Sequence, residues 1–143
     1  MKTLAYPAVF KRAPEGGFEV TFPDFPEAFT QGENSAEAIR MAIDCLDIAI
    51  GWRIERRDKL PIASRRTAKM KMVPVSLDLA PKFLLYTTMR DQKISGNALA
   101  KRLGIGETEV RRMLDPKHSS KPGKYQAALL ALGVVPQLNV AGS

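Results

Sequence analysis

The first regular pattern along the chain is an alternation. Phe18, Val20 and Phe22 are apolar, while Glu19 and Thr21 are polar, which is the period of a strand buried on one face. Residues 4–12 form a mostly apolar run before it and predict a partner strand. Ala13-Pro14-Glu15-Gly16-Gly17 lies between the two. Proline presets one turn dihedral and glycine admits positive φ, so this segment predicts a hairpin. Pro23-Asp24-Phe25-Pro26 then interrupts the pattern, and residues 28–32 predict a short third strand.

After residue 33 the period changes from two to that of a helix. Ile39, Ile43, Leu46 and Ile50 form one stripe; Met41, Cys45, Ile48 and Trp52 form a second, nearly opposite. Ala38, Ala42 and Ala49 bridge the stripes, and only the arc of Arg40, Asp44 and Asp47 is plainly polar. Asn34 is a good N-cap, with Glu37 placed as in a capping box. The pattern predicts a helix to about Arg57, before Pro61. A helix on one sheet needs a single apolar face, so the second stripe is surplus. Either it meets a second subunit or a second domain, or a fourth strand and the linker cover it. Residues 61–71 are basic, polar and without periodicity, which predicts an exposed loop. Residues 72–77 predict a last strand, on the sheet edge because of Pro74. The front of the chain thus predicts an α+β domain, ββ(β)αβ, over residues 1–79.

From Ala80 strand patterns stop, and residues 80–143 predict an all-α domain. Helical patterns cover residues 83–89, Gly96–Leu103, Glu107–Leu114 and residues 125–132, with Gly133 as a stop. The tail from Gly133 predicts a short strand or no regular structure.

Length and composition narrow the classes. The chain has 143 residues and is 45% hydrophobic, enough apolar content to exclude full disorder. No apolar run reaches membrane-spanning length, and the N-terminus meets Pro7 and charge too early for a signal-peptide core. A single cysteine, Cys45, excludes an intrachain disulfide; a cytoplasmic protein is expected. The net charge of +7 is unevenly distributed. Residues 1–50 carry −4, residues 51–72 carry +6 and residues 73–143 carry +5. An acidic front and a basic back predict partners of opposite charge.

The clearest motif runs from Gly96 to Met113. Ala100 is small enough for close helix contact, Gly104 tolerates a left-handed turn, and Val110 is an apolar anchor. This spacing resembles the DNA-binding helix-turn-helix of the phage-repressor (Cro-type) class. Gly96 departs from the class, which often has glutamine there. The resemblance places the second helix in the major groove. Gly106, Glu107, Thr108, Arg111 and Arg112 then face DNA. Arginine can grip guanine with two hydrogen bonds, and threonine can contact a base or phosphate. Lys101, Arg102, Lys117, Lys121 and Lys124 are candidates to neutralise phosphates. Glu107 or Glu109 reads a cytosine amino group or caps the helix dipole.

The front half carries a second resemblance. FEVTFPDFPEAFTQGENSAEAIRMAIDCL, with its preceding PEGG hairpin, the D-x-P-E-A-x-T-Q-G run from Asp24 to Gly32 and the AEA helix start, resembles the HicB antitoxin family. With the helix-turn-helix, the likeness covers nearly the whole chain. It implies a reduced ribonuclease H-type fold at the N-terminus that covers the active site of a HicA toxin, an mRNA-cleaving ribonuclease. It implies a C-terminal domain that binds the operon's own promoter, in a dimer or larger complex. The charges agree independently, because a ribonuclease gripping phosphates is expected to be basic and an acidic inhibitor complements it. Asp24, Phe25, Pro26 and Glu27 are the expected toxin contacts. The same run also suits a rigid corner with Phe25 in the core, and the two roles are compatible.

No catalytic constellation emerges. A ribonuclease H-type centre needs several carboxylates converging on divalent ions, yet the first and fourth predicted strands hold none within residues 3–9 and 72–77. His118 is the sole histidine, and Cys45 lies on an apolar stripe without a nearby histidine. No metal-ligand spacing or phosphate-cradling loop appears, so neither an enzyme nor a bound cofactor is expected. The alternative function is a stand-alone helix-turn-helix regulator whose N-terminal domain senses a small ligand. A degenerate nuclease is a third.

Overall fold

A computed structural model describes residues 4–140. The chain divides into two compact units, one ending at Ala80 and one beginning at Pro81. The first is α+β and the second all-α.

In the first unit, β1 (Ala5–Arg12), β2 (Phe18–Phe22), β3 (Phe25–Gly32) and β4 (Met70–Pro74) form one antiparallel sheet. The strand order is β3-β2-β1-β4, so β3 and β4 are the edges. The hairpin between β1 and β2 turns through Gly16 and Gly17, both at positive φ. A Cβ on Gly17 would lie 2.4 Å from the Gly32 carbonyl oxygen, so only glycine allows this approach. β3 starts at Phe25, earlier than the expected start at residue 28. The reason is a register break: Phe22 faces Phe25, whereas Thr21 faces Phe29. Residues 26–28 fall in the break, where Pro26 needs no ladder partner for its missing N–H.

The helix α1 (Ser35–Glu55) covers one face of this sheet. The Asn34 side chain accepts a hydrogen bond from the Glu37 N–H at 2.9 Å. Ala38, Ala42, Leu46, Ala49, Ile50 and Ile54 are buried with Tyr6, Ala8, Val20, Phe22, Phe25 and Val73. The three alanines let the helix backbone approach the sheet closely. The helix ends at Glu55, before the expected Arg57, because Arg57 takes a left-handed conformation at φ 59°.

The linker after α1 has no regular structure over residues 58–66, as its composition predicts. It is nevertheless anchored. The Tyr6 hydroxyl donates to the Pro61 carbonyl at 2.6 Å, and Leu60 is buried. β4 lies at Met70–Pro74, two residues earlier than predicted at its start. The Val75 N–H still bonds the Leu4 carbonyl at 2.9 Å, and the next residue is held by Asp47, whose carboxylate accepts from the Ser76 backbone N–H at 3.2 Å and from the Ser76 hydroxyl. Asp47 is therefore an internal anchor and not simply part of a solvated arc. Burial pushes its carboxyl above the ordinary aspartate range, with the Ser76 hydrogen bonds opposing.

The second unit contains α2 (Ala80–Gln92), α3 (Gly96–Leu103), α4 (Glu107–Leu114) and α5 (Pro122–Ala131). The predicted bounds of α3 and α4 coincide with the observed ones. α2 and α5 begin earlier than predicted because Pro81 and Pro122 sit in first turns, where proline is tolerated. Gly133, at φ 79°, follows α5, and residues 134–140 have no regular structure. The core joins Leu85 and Met89 of α2, Leu99 and Ala100 of α3, Val110 and Met113 of α4, and Tyr125, Ala128 and Leu129 of α5. One polar network crosses it. Buried Lys82 donates to the His118 carbonyl and to the Tyr125 hydroxyl at 2.9 Å, and that hydroxyl donates to the Met113 carbonyl at 2.7 Å. The charge is thus accommodated by hydrogen bonds.

Candidate functional site

Two surfaces offer chemistry. The first surrounds the start of β3, where Asp24, Phe25, Pro26 and Glu27 were expected to meet a partner. Phe25 is fully buried, with its ring edge-on to Tyr6 at 4.9 Å. It is a core residue, as the rigid-corner reading expects. The Arg53 guanidinium lies over the Phe25 ring, 4.7 Å from its centroid. Arg53 in turn makes a two-pronged bond to Glu27, from Nε and Nη2, each 2.9 Å long. The guanidinium holds the Glu27 carboxyl below its ordinary range. Asp24 accepts from the Ser64 N–H at 2.9 Å and from its hydroxyl. Both carboxylates thus fasten the corner, while Pro26 and Glu27 remain exposed.

Beside this corner runs a groove of about 290 Å3 between β3 and α1. Met41, Cys45, Ile48 and Trp52 of the second helical stripe line it, with Phe29 on the strand. Phe29, Ile48 and Trp52 are each more than half exposed. Neither the linker nor β4 covers the stripe, which settles one of the alternatives left open by the sequence. The Cys45 thiol donates to the Phe29 carbonyl at 3.6 Å, and burial pushes its pKa up. A thiol of that kind is a poor nucleophile. Among the described residues no cluster of three or more metal-ligating side chains occurs.

The second surface is the α3–α4 pair. Gly104 closes α3 in the left-handed conformation, φ 67° and ψ 32°, and donates back to α3 carbonyls. Gly106 caps α4 without a side-chain bond. Val110 and Met113 are buried, which turns Glu107, Thr108, Arg111 and Arg112 outward on the opposite side of α4. Arg111 sits 3.5 Å from Glu107, a weak exposed pair. Lys124 meets Glu109 at 2.6 Å, tying the first turn of α5 to α4. Lys101, Arg102, Lys117 and Lys121 are exposed. The structure thus brings four of the five expected base-facing side chains or backbone positions onto α4 and the fifth onto its cap. It also assigns Lys124 a contact that the sequence could not reveal.

Comparison with known proteins bears on the first unit directly. Residues 5–83 match a family described as HicB-like antitoxin of bacterial toxin-antitoxin systems. The chain belongs to the HicB-like antitoxin family. Most of its length is shared with named relatives. It is 36% identical over 130 residues to Antitoxin HicB of Escherichia coli strain K12, covering 91% of this chain and 94% of that protein. Photorhabdus laumondii Antitoxin HicB 2 is 38% identical over 132 residues, covering 92% and 93%. Antitoxin HicB 1 of the same organism is 37% identical over 132 residues, covering 90% and 84%. This HicB-like chain is accordingly an antitoxin of a toxin–antitoxin system, not an enzyme. No helix among its described residues is long and apolar enough to cross a membrane.

Sequence reasoning missed Arg53 and Ser64 as partners of the corner carboxylates. Arg53 carries a usable signal, since it is a cation set between apolar Trp52 and Ile54 on a largely apolar helix. Ser64 carries none, because its contact with Asp24 spans 40 residues of chain.

Proposed function

We propose that this antitoxin neutralises a HicA-like, mRNA-cleaving ribonuclease through its first unit and represses its own operon through its second. The observation that carries the proposal is the coincidence of HicB-like family membership with an α4 whose free face presents Thr108, Arg111 and Arg112. In this reading α3 and α4 are a helix-turn-helix, and α4 enters the major groove of operator DNA. Arg111 and Arg112 read bases. Lys101, Arg102, Lys117 and Lys121 neutralise phosphates, and Lys124 holds α5 against α4 through Glu109. Gly106 leaves the helix N-terminus open to a phosphate.

On the toxin side, contact begins at Pro26 and Glu27 on the edge strand β3, with Asp24 and Phe25 shaping the corner from within. The protein works in the cytoplasm, where messenger RNA and operator are both found. It binds a palindromic operator as a homodimer or higher oligomer, since half-sites mirror protein symmetry.

The rival, an effector-sensing regulator, needs a pocket with convergent polar groups. The α1–β3 groove is open and lined mainly by apolar side chains, which favours a protein partner. The test has two arms. The purified chain should retard DNA from upstream of its own gene. Its expression should restore growth to cells producing the neighbouring gene's product. Absence of both effects overturns the proposal.

A further inference from the structure

The α1–β3 groove has a composition unusual for a solvated surface. Ile48 and Trp52 are 55% and 54% exposed, Phe29 is 56% exposed and Met41 40%. These side chains adjoin one another along a single channel. Isolated exposed apolar residues need no explanation, but a contiguous group beside polar residues marks a contact surface. One wall is β3, an edge strand with one side unpaired in the sheet. Such an edge can receive a further strand.

Charge decides the occupant. The groove lining includes the exposed Asp44 carboxylate and that of Glu27, whose charge Arg53 balances, and no lysine or arginine. Glu37 and Glu55 continue the row of Asp44 along the same flank of α1, with Arg40 beyond it. A second copy of this chain would bring like carboxylate rows together, which is unfavourable. A partner with apolar side chains flanked by lysine and arginine complements both the channel and its rim.

We infer that this groove is the docking site for the basic ribonuclease, with Ile48 and Trp52 as its apolar anchors and Asp44 meeting a cation of the partner. This rests on the neutralisation proposed above and extends it from the corner at Pro26 and Glu27 along the full channel. A tryptophan that loses its water on docking is the type of residue that dominates protein interfaces.

Trp52 is the sole tryptophan of the chain, so the site reports on itself. The test uses the full chain and a catalytically inactivated form of the neighbouring gene's product, taken as the HicA-like ribonuclease of the proposal. Calorimetry gives the affinity, and tryptophan emission is corrected with the Trp52→Phe chain. Emission should move to the blue and become protected from acrylamide when the partner is added. Ile48→Asp should weaken binding by about thirtyfold or more, and Trp52→Ala should act similarly. Both side chains are exposed, and unchanged far-ultraviolet dichroism verifies folding.

If the unaltered chain fails to bind that protein, the neutralisation reading fails and this assignment falls with it. If it binds, and Ile48→Asp and Trp52→Ala bind equally well, the groove assignment alone is overturned. A third outcome also overturns it: a blue shift that follows chain concentration without partner, abolished by Ile48→Asp while partner affinity is kept. The groove would then be a self-contact.

Discussion

α1 and α4 both leave one side uncovered, but with opposite chemistry. The free side of α1 carries Met41, Ile48 and Trp52, whereas that of α4 carries Thr108, Arg111 and Arg112. The first gains free energy by losing water, which needs a dry complementary surface. A cationic side of the second kind suits a polyanion, whose counterions are released on contact while much water is kept. One chain therefore holds an open apolar surface and an open cationic surface, each on a helix whose opposite side is fixed in a core. The carboxylates divide similarly. Asp24, Glu27 and Asp47 are engaged with Ser64, Arg53 and Ser76. Asp44 is exposed on the groove. The carboxylates of the first unit are therefore partly structural and partly available to a partner.

The sharpest way to test the separation is to damage one core at a time. Leu46 is fully buried in the first unit and Leu99 in the second. Leu46→Ala is expected to cost about 2–5 kcal/mol and to lower the denaturant midpoint read by Trp52. Leu99→Ala is expected to lower the dichroism midpoint with a smaller effect on Trp52. Equal shifts of both probes in both variants would show the units unfolding as one.

The surfaces themselves come next. Arg111→Ala or Arg112→Ala should weaken operator binding by about 1–3 kcal/mol if the residue reads a base. Lys121→Ala should weaken all DNA about equally and flatten the salt dependence by about one ion. Mobility shifts at several salt concentrations separate the two. Full affinity in both arginine variants removes α4 as the reading helix. Neither change should alter toxin binding.

At the opposite surface, Asp24→Lys with Glu27→Lys should weaken toxin binding by about tenfold or more, leaving operator affinity intact. Because both carboxylates also hold the corner, Glu27→Gln is the necessary companion. It retains an acceptor for Arg53 and removes the charge. Calorimetry on the pair separates lost charge from a disturbed corner, and unchanged affinity in the double variant rejects the corner as a contact.

The smallest effects are those of pH. Glu27 has its folded pKa lowered by Arg53, so its contribution is complete above the ordinary glutamate pKa. That contribution is lost as pH falls through the lowered value. Asp47 behaves in the opposite sense. Burial raises its folded pKa, so stability declines as pH rises from the ordinary aspartate pKa through the raised value. Glu27→Gln should therefore remove an acid-side loss, and Asp47→Asn should remove a decline at higher pH. Denaturant midpoints from pH 3 to 7 test both, and profiles that match the unaltered chain would remove these groups from the pH dependence.

Much of this was legible in local sequence. Alternation at Phe18–Phe22 and the α3 and α4 bounds follow from hydrophobic period and glycine placement, which act over a few residues. The surplus stripe on α1 was equally plain, because a helix lying on one sheet has no internal use for two apolar sides. Its fate was not, since covering depends on where distant chain is carried. The start of β3 was misplaced because a register break, not local propensity, accommodates Pro26.

By itself, then, the order of residues determined the two fold classes, the capped helices and the segregation of charge, all properties of near neighbours. Only tertiary structure decided that Phe25 lies inside, that Glu27 is held by Arg53, and that Met41, Ile48 and Trp52 remain open. Each depends on contacts between residues far apart in the chain, whose meeting is set by sheet order and by the path of the linker. No local period encodes either.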